Sequence, residues 1–173
     1  VTCDGAERDL RATPAFEKRL RELFPSVGDL HANKPSTPIS MAHALELVAL
    51  ALQAQAGCPV TFSRTTETEI PGTFQVAVQY TEEAVGRLAF EKAEQLCAAA
   101  AAGTDFDVPA TLAELHELDE DERLGPSTGA IVDAAIARGI PIKRLTSGSL
   151  VQLGWGSQQR RIQAAEVDGT SAI

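Results

Sequence analysis

The sequence predicts an α+β fold, with a small antiparallel sheet packed by long helices and then a short α/β segment. Three observations carry that expectation. Residues 41–50 read MAHALELVAL, apolar at almost every helical position, and lie between Ser40 and the breakers Gly57 and Pro59. Two stretches, 60–64 and 74–80, alternate apolar and polar side chains, with Ile70, Pro71 and Gly72 between them as a turn. The charge balance breaks near Arg123, which sets the boundary between 1–123 and 124–173. Residues 104–122 hold eight acidic and no basic side chains, whereas 123–165 hold six basic ones and a single acidic one, Asp133.

Taken in order, Thr13 and Pro14 open an amphipathic helix carrying Phe16, Leu20, Leu23 and Phe24, which Pro25 stops. Residues 26–40 are rich in Pro, Ser, Gly and Asn and read as a loop. The second helix, 40–55, is apolar on most sides and belongs in the core. The alternating stretches follow as an antiparallel pair. Glu82 and Glu83 then mark a helix N-terminus, where carboxylates face the positive end of the dipole, and that helix runs to the alanines at 98–102 with Gly103 as its cap. Leu112, Leu115 and Leu118 place a helix in the acidic segment. Another is expected at 129–138 after the turn at 125–128, with short strands at 140–145, 150–153 and 161–165.

Composition narrows the function. At 173 residues with 44% apolar and 23% charged side chains, the chain is an ordinary globular one. A net charge of −9 argues against a nucleic-acid partner. The longest apolar run, 44–52, is interrupted by Glu46 and is far short of the roughly 20 residues a membrane span needs, so no membrane partner is expected. Cys3, Cys58 and Cys97 are odd in number and lack ligand spacing, which fits a reducing cytoplasm. The first residue is Val1 rather than Met, as in a fragment or a processed chain.

Several motifs give the chain a family resemblance. The stretch LGPSTGAIVDAAIARGIPIKRL at 124–145 is followed by GSLVQLGWG at 148–156, QRRIQA at 159–164 and DGTSAI at 168–173. Upstream stand AGCPVTFSRTTET at 56–68 and EEAVGR at 82–87. In this order the segments resemble cyanophycin synthetases over roughly 40–173, with Gly169 in place of the usual arginine. The resemblance implies an N-terminal domain that holds the growing polymer, then an ATP-grasp domain and a Mur-ligase-like domain. Those two use ATP and Mg²⁺ to add aspartate and arginine to poly-aspartate bearing arginine on its side chains. On that pattern 1–123 is the N-terminal domain, and 124–173 is a connecting segment and the start of the ATP-grasp region. No cofactor is expected in this chain itself. The implied partners are cyanophycin, the downstream domains of the same chain and further copies in a homo-oligomer.

The same resemblance gives meaning to the second helix. Many family members carry HxxEH there, the arrangement of inverted zinc peptidases. Two histidines four residues apart project from one helix face to the metal, and the glutamate between them polarises the attacking water. Here the residues are His43, Glu46 and Leu47, and leucine cannot bind a metal. His43 with Glu83 as a downstream carboxylate would make two protein ligands, where a catalytic zinc keeps three. Zinc is therefore not expected, and Glu46 reads as the vestige of a catalytic residue hydrogen-bonded to His43 one turn away. A zinc-dependent peptidase that makes primers from the polymer, and a stand-alone adaptor that keeps the fold, stand as alternatives.

Arg64, Arg87, Arg160 and Arg161 are the candidates for gripping polymer carboxylates, because a planar guanidinium can bind a carboxylate bidentately. Each has a plainer reading as an ion-pair partner: Arg64 with Glu67 or Glu69, Arg160 and Arg161 with the acidic segment. Lys34 falls in a loop that is short by comparison with the family. His31 and His116 show no partner in the sequence, and Trp155 between glycines reads as packing.

Overall fold

The computed structural model describes residues 1–32 and 38–164 and the backbone of 166–167. It is α+β, and its residues form two compact units, Val1–Asp121 and Glu122–Ile173. Among the described residues there are two small antiparallel sheets, one in each unit. Lys34 and the 168–173 motif lie outside the described residues.

The first unit is built around α2, Met41–Gln55. Alanine and leucine are strong helix formers, and Ser40 sits at the N-cap. Because the helix is apolar nearly all round, it is covered on more than one side. One side packs against α3, Glu83–Ala102, which also carries α1, Pro14–Leu23. Another side packs against β1, Ser63–Glu67, and β2, Phe74–Val78. Leu10, Leu20, Val48, Leu52, Val85 and Leu96 are fully buried in this core. Each such side chain contributes roughly 1.5–3 kcal/mol by leaving water. Gly103 takes the left-handed conformation (φ 69°) that lets the chain leave α3. Helix α4, Val108–Glu122, adds Val108 and Leu115 to the same core.

Strand β1 starts three residues later than the alternation predicts. The N–H groups of Thr61 and Phe62 both donate to the Gln79 side-chain oxygen, at 2.9 and 3.0 Å, so this stretch is held by a side chain before the ladder begins. The strand proper is the polar run SRTTE, paired in register from Ser63↔Val78 to Glu67↔Phe74. Its inward residue is Thr65, which is buried and donates to the Ala42 carbonyl of α2 at 3.5 Å. The segment before α1 has no period in sequence, yet it is anchored. Thr2 bridges Thr73 beside β2, and Cys3 and Leu10 are buried.

The second unit holds α5, Pro126–Ile136, and four strands in the order β3-β4-β5-β6. These are Ile142–Arg144, Val151–Leu153, Arg160–Gln163 and Glu166–Val167, all antiparallel. Val132, Val151 and Ile162 form its core. Helix α5 begins earlier than the sequence predicts because Pro126 occupies its first turn, where a missing N–H costs nothing.

Candidate functional site

Along α2 the positions His43, Glu46, Leu47 and Leu50 recur at helical spacing and so share one face. With Leu30, Ile39 and residues 61–65 leading into and along β1, they line a cleft of about 330 Å³. Its wall mixes the apolar Leu30, Ile39, Leu47, Leu50 and Phe62 with polar side chains. Glu46 is 7% exposed there, and its Oε1 accepts the Ser63 hydroxyl at 2.7 Å. Its Oε2 has no hydrogen-bond partner among the described residues and does not rank among the fully buried orphan atoms, so it opens on the cleft.

His43 is engaged elsewhere. Its Nδ1 lies 3.0 Å from Ser40 Oγ and accepts from the Ser40 N–H at 3.4 Å. A backbone N–H can only donate, which places the ring proton on Nε2. The ring also meets Phe74 edge-on, with centroids 5.9 Å apart, and borders a second hollow beside Arg8 and Glu67. Among the described hydrogen bonds His43 meets Ser40 and Glu46 meets Ser63, and none joins the two as expected from the sequence.

Arg64 borders the cleft between Ser63 and Thr65 on β1 and is exposed. Its expected ion pair is taken: Glu67 pairs with Arg8 at 3.3 Å and accepts the Gly72 N–H at 2.8 Å. Among the described residues Arg64 makes neither a hydrogen bond nor an ion pair.

Glu83 is not gathered with His43. It lies at the first turn of α3 and binds Arg87, with the guanidinium at 2.7 Å. Both border a separate pocket of about 510 Å³ with Gln53, Tyr80 and Phe90. A carboxylate already paired there is badly placed to complete a metal site on α2. Among the described residues no three His, Cys, Asp or Glu side chains converge as a metal would require. The described residues therefore do not fit a three-ligand zinc.

Arg160 and Arg161 belong to β5 of the second unit and are exposed. Arg160 Nη1 donates to its neighbour's carbonyl at Gln159, 3.1 Å away.

Two polar arrangements escaped the sequence reading. His31 has a partner: its Nε2 meets Glu17 Oε1 at 2.9 Å, and Arg21 binds the other oxygen at 3.1 Å. The Glu17–Arg21 spacing is visible on α1, whereas the histidine arrives from a loop that carries no signal. Asp119 is buried in α4, where it accepts from Thr81 at 3.2 Å and from the Cys58 thiol at 3.6 Å. All three cysteines are buried and free. Burial pushes each thiol pKa up; at Cys97 burial, with Glu94 adding to it, carries the value to about 12.

A family model described as "Cyanophycin synthase-like N-terminal domain" matches residues 4–102, reaching upstream of the motifs on which the resemblance rests. The cyanophycin synthetase of Geminocystis herdmanii is 38% identical and covers 98% of this chain, which is 21% of that protein. That of Trichormus variabilis is 36% identical over 97% of the chain and 20% of its own length. That of a Synechocystis species is 37% identical over 93% and 20%. The chain thus spans about a fifth of the length of the curated relatives it matches.

Proposed function

The chain belongs to the family of cyanophycin synthase-like N-terminal domains, and from that premise we propose that it docks cyanophycin and supports ligase domains without cutting the polymer. The observation that carries this reading is the make-up of the α2–β1 cleft. Leu47 stands where a second histidine would be needed, Glu83 is bound to Arg87 in another pocket, and Arg64, which borders the cleft, has no ion pair among the described residues. A guanidinium with no ion pair among the described residues suits a chain that bears carboxylates, and it performs no hydrolysis.

In this reading Glu46 is the remnant of the water-activating glutamate, kept for binding. Arg87, Arg160 and Arg161 serve as secondary contacts. Ligation with ATP and Mg²⁺ is the work of ATP-grasp and Mur-ligase-like domains, in a cytoplasmic homo-oligomer. No described helix is long and apolar enough to cross a membrane.

Co-sedimentation with insoluble cyanophycin tests the reading. The wild-type chain is expected in the pellet, and Arg64→Ala is expected to shift at least partly to the supernatant. Recovery of both forms in the supernatant would refute docking.

A further inference from the structure

Strand β2 has an open edge beside a pocket. In an antiparallel ladder, alternate residues turn their N–H and C=O groups to opposite neighbours. Phe74 turns away from β1: its N–H donates to the Val1 carbonyl at 2.8 Å, and the Val1 amino group donates to the Phe74 carbonyl at 2.9 Å. The Cys3 N–H meets the Gly72 carbonyl at 2.8 Å in the same way, so residues 1–3 already run as a short third strand on this edge. Val76 and Val78 share the parity of Phe74, and no described residue meets their N–H or C=O groups on that side. The edge is thus filled at Phe74 and bare along the two valines of β2.

The bare part borders the pocket of about 510 Å³ between β2 and α3. Val76, Val78 and the half-buried Phe90 supply its apolar lining. Gln53 lines it too, and its Oε1 is buried without a hydrogen-bond partner. The charged lining is mostly acidic. Arg87, the one cation among the described lining residues, is bound to Glu83, which leaves Glu91 and Glu94 in surplus. Bare backbone donors and acceptors beside apolar side chains are a template for another strand.

We propose that this edge docks a short extended segment of a partner polypeptide, which adds to the sheet along Val76 and Val78 and carries a basic side chain for Glu91 and Glu94. Residues placed opposite Val76 and Val78 face the same side of the sheet as those valines and turn to the pocket. They stand two apart in the partner. One takes an apolar side chain against Val76, Val78 and Phe90. The other takes a lysine or arginine, whose apolar stem covers the same lining while its charge meets the surplus carboxylates. Main-chain bonds supply the affinity and the two side-chain positions the selectivity. A second copy of this chain is a poorer occupant. Pairing β2 with itself would bring the run FQVAV, which has no charge to answer Glu91 and Glu94. The site is separate from the α2–β1 cleft and does not depend on polymer docking.

Amide hydrogen exchange and two-dimensional NMR on the 173-residue chain test this. The probe is the blocked peptide acetyl-Thr-Val-Thr-Lys-Thr-amide. Its two controls carry an N-methyl group on the valine, which removes a ladder donor, or glutamate in place of lysine. Without peptide the Val76 and Val78 amides should exchange quickly, whereas that of Ala77, which faces Arg64 in the β1–β2 ladder, is protected. Saturating peptide should slow both valine amides by about tenfold or more. N-methylation should weaken binding about tenfold, as a lost hydrogen bond does, and glutamate about fivefold, as an exposed charge pair does. In the doubly substituted Glu91→Gln, Glu94→Gln chain, where both positions are exposed, the lysine and glutamate peptides should bind alike. Equal binding of the N-methylated peptide, or no protection of Val76 and Val78 by the unmodified one, would overturn the proposal. So would slow exchange of both amides with no peptide present. Protection lost on dilution would hand the edge to a second copy, and protection found only in a longer form of the protein would hand it to the protein's own polypeptide.

Discussion

Ser63 donates its hydroxyl to Glu46 at 2.7 Å, joining the first residue of β1 to the middle of α2 across the cleft. This one bond fixes the orientation of the cleft's buried carboxylate, and it is the described hydrogen bond that carboxylate makes. Removing it in Ser63→Ala should cost about 1–3 kcal/mol, the usual penalty for leaving a buried polar group without its partner. Urea unfolding would measure that. Glu46→Gln, which removes the charge and keeps an acceptor, should lose less.

Helix α3 should be intolerant of a methyl group at Gly86. A Cβ built there lies 2.7 Å from Tyr80 Cβ and 3.0 Å from its Cγ, contacts that demand a shift near the base of that side chain. Alanine gains about 1 kcal/mol of helix propensity over glycine. Overpacking costs typically 1–3 kcal/mol. Gly86→Ala is therefore expected to lower the unfolding midpoint, and a raised midpoint would show that the backbone at Tyr80 shifts at little cost.

The α2–α3 contact should dominate the stability of the first unit. Leu96 of α3 is fully buried in the core of that unit, and Leu96→Ala should cost about 2–5 kcal/mol by transfer and cavity formation. A loss under 1 kcal/mol in denaturant titration would mean that the helices close over the gap.

The buried thiols set an alkaline limit. Cys97 has a folded pKa of about 12 against an ordinary value of 9.0, so its contribution is fully present below pH 9 and is lost as pH rises toward 12. The unfolded chain releases this proton first. At pH 10 that alone removes roughly 1.4 kcal/mol relative to pH 7. Unfolding midpoints of wild type and Cys97→Ala across pH 8–11 would show it, with the variant falling less steeply. The same burial predicts that a thiol reagent at pH 8 labels the three cysteines only as the chain unfolds.

Features set by local rules were legible in the sequence. Ser40 and Gly57 bracket α2, and Gly103 ends α3, because caps and breakers act within a turn of themselves. The antiparallel β1–β2 pair was legible as well, but not its start. There the Gln79 side chain captures two backbone N–H groups, and a polar strand is held by an apolar partner. The site was half legible. Spacing alone placed His43, Glu46 and Leu47 on one face, and the cleft bears that face. Glu83 could not be placed from spacing, because the direction in which α3 leaves the sheet decides its neighbours. Likewise His31 and Asp119 find partners 14 and 61 residues away, distances over which no sequence period reports.

The most direct test of a docking cleft that does not cut is polymer length in the presence of the purified chain. Soluble cyanophycin incubated with the wild type and added zinc should stay bound and keep its length distribution on gels, and Arg64→Ala should bind it less. Progressive shortening of the polymer that disappears in His43→Ala would contradict the account and restore a working peptidase on α2.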